Sequence, residues 1–201
     1  VATKFTEHKF ESRPFSFSVR FIVLLNQKIV QAKQFSQCIN LIGVDLMNTI
    51  VIKKQAFQGC HNLTTVKSRK LQEIEEEAFL GCLALKQIDL SSAVKVDCSF
   101  VSCCFVYLQM PSIKFIGKMF SNCSALRYID APKCEKIAEN AFVDLQQQIH
   151  VYSEKLEDAK ENYCCNNQKE RFQEMFNGKF KERSEVLGQI EKQKTQMRKV
   201  N

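Results

Sequence analysis

Histidine is scarce in this chain of 201 residues, which holds only His8, His61 and His150. None has a second ligand-type residue at metal-site spacing, so no metal centre is expected. His61 adjoins Cys60, but that cysteine falls on a repeat position described below. The ten cysteines contain no C-x-x-C, and G-x-S-x-G, Walker A and G-x-G-x-x-G motifs are all missing. Thiol exchange, serine hydrolysis and nucleotide binding therefore have no basis here. The expectation is no enzyme, no catalytic residue and no cofactor.

Long apolar runs are missing too. The best, Phe21 to Leu25, is strand length and far below the roughly 18 residues that cross a bilayer. Membrane insertion by this chain is not expected. No secretory signal pattern is visible, although the chain begins at Val1 and not at Met. Strong charge is also lacking: 29 basic residues against 22 acidic leave a net charge of +7. That is too mild to argue for nucleic acid. Ten cysteines are too few for a disulfide scaffold of this length. They suit a reducing compartment, and the vicinal pairs Cys103-Cys104 and Cys164-Cys165 read as free thiols. Hydrophobic content of 45% supports a real core, in one domain or one domain with an appendage.

What the chain does have is periodicity. Phe35, Phe57, Phe79, Phe100, Phe120 and Phe142 follow one another at intervals of 22, 22, 21, 20 and 22 residues. Cys38, Cys60, Cys82, Cys103 and Cys123 each stand three residues after such a phenylalanine, whereas Phe142 is followed by Leu145. A unit of this size cannot bury its own apolar face and must stack on its neighbours. The phenylalanines and cysteines are therefore the expected repeat core, with cysteine acting as a small buried hydrophobe.

The clearest units run from Ala56 to Val66 and from Ala78 to Ile88; both read A-F-x-G-C-x-x-L-x-x-[VI]. The unit at Phe120 replaces the glycine with Asn122, and both residue types tolerate a left-handed backbone. The unit at Phe100 is one residue short before its strand. Each A-F-x-G-C piece is expected to make a short helical turn. An alternating strand follows, then a second extended piece carries Leu71 and Ile74 inward.

These residues resemble the BspA-like leucine-rich repeats, a family of binding and adhesion proteins often found on microbial or protist surfaces. The resemblance covers roughly residues 30–152, although the strand-ending proline of the family appears only as Pro111 and Pro132. It implies an α/β repeat: a leucine-rich-repeat solenoid of about five to six coils with short helical turns and parallel strands, plus a C-terminal α-helical extension. Residues 1–30 are a strand-rich cap or degenerate repeat, 31–152 the solenoid and 153–201 a helical cap and tail. In the tail, Phe176, Phe180, Leu187, Ile190 and Met197 form an imperfect heptad stripe. It either packs on the solenoid end or forms a short coiled coil that dimerises or docks on a partner.

Function is expected on the outward strand rows. One row holds Asp45, Lys67, Asp89, Gln109 and Asp130; the next holds Thr65, Gln87, Tyr107 and Tyr128. Together they make a flat or concave polar platform with tyrosine anchors, suited to a protein partner of unknown identity. Three aspartates on that face argue against nucleic acid. The alternative is a structural subunit docked into a larger complex through its C-terminal helix. Location at the cell surface or outside the cell is what the resemblance implies; the cytoplasm is the expectation if the visible chain is complete.

Overall fold

The computed structural model describes residues 2–5, 19–156 and 163–166. The chain divides into two units, Val1–Asn167 and Gln168–Asn201. The expected tail helix and its heptad stripe lie outside the described residues, as do residues 6–18 of the expected cap.

Short strands alternate between two faces of a coil. In chain order they are β1 (Ala2–Phe5), β2 (Phe21–Leu24), β3 (Ile29–Val30), β4 (Gly43–Leu46) and β5 (Val51–Ile52). Next come β6 (Thr65–Ser68), β7 (Glu73–Ile74), β8 (Gln87–Ile88), β9 (Lys95–Val96) and β10 (Tyr107–Gln109). The last are β11 (Phe115–Ile116), β12 (Tyr128–Asp130), β13 (Lys136–Ile137), β14 (Ile149–Tyr152) and β15 (Tyr163–Asn166). One face carries sheets β1-β2-β4-β6-β8 and β10-β12-β14-β15; the other carries β3-β5-β7-β9 and β11-β13. Every pairing is parallel, and Val44 meets Val66 as Val66 meets Ile88. This is a parallel-strand solenoid of about six turns, with the repeat period as its strand register.

No helix occurs among the described residues, so the expected helical turns are corrected to chains of tight turns. The reason is competition for N–H groups. In the unit at Phe57, the amides of Ala56, Gln58 and Cys60 donate locally, to Lys53, Gln55 and Phe57. The intervening amides of Gln55, Phe57 and Gly59 donate instead to Glu76, Ala78 and Leu80 of the next coil, the last two at 2.8 Å. In an α-helix the Phe57 and Gly59 amides would turn back to the carbonyls four residues earlier and be lost to the next coil. Left-handed residues four apart enforce the pattern: Gln55 with φ 58° and Gly59 with φ 71°, then Glu77 with φ 57° and Gly81 with φ 73°. Asn122 takes the same place with φ 58°, as its exchange for glycine in the motif anticipates.

The core is a column of rings. Successive members of Phe35, Phe57, Phe79, Phe100, Phe120 and Phe142 stack at centroid distances of 5.2, 5.3, 5.7, 6.0 and 6.3 Å. All six are buried. Cys60, Cys82, Cys103 and Cys123 are buried beside them, whereas Cys38, at the upstream end, is only partly covered. At the downstream end Tyr163 packs edge-on against Phe142 at 5.8 Å. That tyrosine opens strand β15, which pairs with β14, so residues 163–166 are strand where the tail was expected to be helical. Pairing there covers an edge that would otherwise stay open.

Both faces are interrupted at the same level. The step from β7 to β9 is 22 residues and that from β9 to β11 is 20, and the ladder stops between β9 and β11 as it does between β8 and β10. Phe105 fills the place of the repeat leucine one residue early and packs edge-on against Phe100 at 5.3 Å. Val106 is exposed, whereas Leu108 and Met110, two and four residues on, are buried. The ring column and the turn-side bonds Phe79 N–H to Ser99 and Gly81 N–H to Val101 cross the interruption.

Candidate functional site

The interruption divides the expected outward rows into two blocks. Upstream, Asp45 pairs in register with Lys67, and Thr65 with Gln87. Lys67 and Gln87 are exposed, Asp45 and Thr65 half-buried. Asp89 lies just past β8, where its carboxylate accepts the Ser91 N–H at 3.0 Å and holds a local turn. These residues give a polar strip with no dominant charge.

Downstream, Tyr107 pairs with Tyr128 and Gln109 with Asp130. The same rows continue through His150 and Tyr152 on β14. The Tyr107 hydroxyl donates to Asp130 Oδ2 at 3.3 Å, and the Tyr152 hydroxyl to Glu154 Oε1 at 3.0 Å. The rings of Tyr128 and His150 stack at 5.3 Å. Tyr128, expected as an exposed anchor, keeps only 3% of its surface accessible. Its ring supports its neighbours on the row, while Tyr107, His150 and Gln109 remain accessible. Burial, and then the Asp130 charge, pushes the Tyr107 phenol up to about 12. Burial followed by Glu154 likewise raises Tyr152. Both phenols thus stay protonated donors. His150 and Tyr152 were missed in the sequence although each stands 22 residues after a predicted row member.

The thiols are structural. Cys60, Cys82, Cys103 and Cys123 donate to the carbonyls of Phe35, Phe57, Phe79 and Phe100, each one coil upstream, at 3.1, 3.2, 3.4 and 2.8 Å. Burial pushes Cys82 and Cys123 up to about 12. A thiol held protonated there is a poor nucleophile. Lysine–carboxylate pairs run from coil to coil, as in Lys53 with Glu75 at 2.5 Å and Lys54 with Glu76 at 2.6 Å. They are screened surface pairs that favour the register more than the stability. No helix among the described residues is long and apolar enough to cross a membrane.

No curated protein matches the chain significantly. Among solved structures, a leucine-rich repeat protein of T. pallidum is similar at a TM-score of 0.49 and 22% identity, over 66% of this chain and 72% of that one. A leucine-rich cell surface protein from Faecalibacterium prausnitzii A2-165 is similar at a TM-score of 0.46 and 18% identity, over 72% of this chain and 45% of that one. The model of the BspA-type leucine-rich repeat region matches residues 27–97 and 96–175, in six copies. With the repeat motif, the stacked coils and that match in agreement, the chain belongs to the BspA-type leucine-rich repeat family.

Proposed function

We propose that this chain is a non-enzymatic binding or adhesion module, and that its downstream strand face docks a partner protein. Proteins of this family typically bind proteins and are generally not enzymes. The observation that carries the reading is the register that brings the accessible side chains of Tyr107, Gln109, Asp130 and His150 together on adjacent strands, backed by the buried rings of Tyr128 and Tyr152. Parallel strands hold these groups at about 4.8 Å spacing without further ordering cost, which makes a preorganised contact surface. The accessible Tyr107 ring beside the Asp130 carboxylate, with the exposed Glu154 carboxylate two residues past Tyr152, suits a lysine or arginine side chain on the partner. Asp45, Thr65, Lys67, Gln87, Asp89 and Gln109 complete a polar rim.

The test is capture of surface proteins by the immobilised full chain, by Tyr107→Ala/Asp130→Arg, and by a chain ending at Asn167. The double variant is expected to weaken capture by about tenfold or more, the loss of one good anchor. Truncation is expected to leave capture unchanged. Partners lost only with the tail would contradict this reading and favour assembly through the C-terminal segment.

A further inference from the structure

We propose that the interruption between β9 and β11 is a second docking site, a cleft that takes an extended peptide carrying apolar and acidic side chains from a partner protein. The cleft has a volume of about 560 Å³, within the range of ligand sites. It opens where a 22-residue step becomes a 20-residue step.

The backbone identifies the occupant. One coil upstream, the Gln72 carbonyl accepts Lys95 N–H and the Ile74 carbonyl accepts Asp97 N–H. The corresponding groups at the cleft are the Val94 and Val96 carbonyls on one wall and the Phe115 and Gly117 amides on the other. Among the described residues none of these four has a hydrogen-bond partner. Acceptors on one wall and donors on the other are what an extended chain satisfies, because a strand presents N–H and C=O along both of its edges. A lipid tail satisfies neither wall.

The side chains set the composition. Val96 and Met119 make an apolar floor, and Val94, 60% exposed, and Phe115, 50% exposed, make apolar rims. Lys95, Lys114 and Lys118 line the cleft against the single acid Asp97. Lys95 is taken by Glu73 and Asp97, and Lys118 by Asp144 at 3.1 Å. Lys114 is 71% exposed and only loosely paired with Glu135, at 3.8 Å, so it is the cation most free to receive a carboxylate. Apolar side chains on the floor with carboxylates toward Lys114 fit this lining.

The full chain is tested by fluorescence anisotropy against a labelled short peptide of alternating valine and glutamate. The probes beside it are the same peptide N-methylated at every second residue and a valine–lysine peptide. The valine–glutamate peptide is expected to bind. N-methylation of the peptide, and separately Lys114→Glu/Lys118→Glu in the protein, are each expected to weaken binding at least tenfold. Both lysines are well exposed, and circular dichroism checks that the double variant folds. Equal binding of the N-methylated or the lysine peptide, no effect of the double variant, or no binding at all would overturn the proposal. Displacement of the peptide by dodecanoate would overturn it too, in favour of an amphiphile site. The platform variant Tyr107→Ala/Asp130→Arg is expected to bind the peptide normally, which separates this site from the platform.

Discussion

The thiol of Cys82 donates to the carbonyl of Phe57, one coil upstream, at 3.2 Å. That carbonyl also accepts the Cys60 N–H of its own turn. Cysteine at this position is therefore a donor that stitches coil to coil as well as a small apolar filler. Cys82→Ala removes the bond and leaves a small void, with an expected cost of about 1–2 kcal/mol. Urea unfolding measures it. Unchanged stability would mean that neither the bond nor the filled space holds the coils together.

Gly81 has φ 73°, and an added Cβ would meet nothing nearer than 3.9 Å. Gly81→Ala should therefore cost only backbone strain, about 1 kcal/mol. Gly81→Asn should cost less, because Asn122 already holds the equivalent place at φ 58°. Gly59 differs: its Cβ would come within 2.5 Å of the Gln37 amide, which must swing aside. Denaturation midpoints of the three variants are expected to rank Gly81→Asn above Gly81→Ala, with Gly59→Ala no higher than Gly81→Ala.

Tyr107 titrates at about 12 in the folded chain against an ordinary 10.0, through burial first and the Asp130 charge second. Folding thus favours the neutral phenol. That stabilisation is complete below pH 10.0 and is lost as pH rises through about 12. Tyr107→Phe is expected to reduce the alkaline loss of stability in this window. Ultraviolet titration should show one phenolate fewer in the late phase of the variant.

The repeat period made the ring column legible, because stacking of identical coils turns a sequence interval into a spatial one. Phe57 over Phe35 and Val66 beside Val44 follow from that alone. The turn conformation did not follow. A-F-x-G-C reads locally as helix, but the amides of Phe57 and Gly59 are claimed by the next coil, a demand visible only once coils are stacked. The shortened unit at Phe100 was visible as a missing residue. Its consequence, two ladders broken at one level, depends on how Phe105 repacks. The registers of the strand rows were legible through Tyr128 and Asp130. They stopped short of His150 and Tyr152 because residues 149–152 read as the close of the solenoid and not as one more rung. The tyrosine expected as an anchor, Tyr128, proved to be buried.

Binding through the downstream strand face is tested most directly by a photoreactive phenylalanine analogue placed at Gln109, which is exposed on β10, or at Lys53, which follows β5 on the other face. Each full-length variant is irradiated with intact cells and its adducts are identified by mass spectrometry. Docking on the platform predicts a discrete partner adduct at position 109 and none at position 53. Equal adducts at both positions, or adducts at position 53 alone, would contradict it.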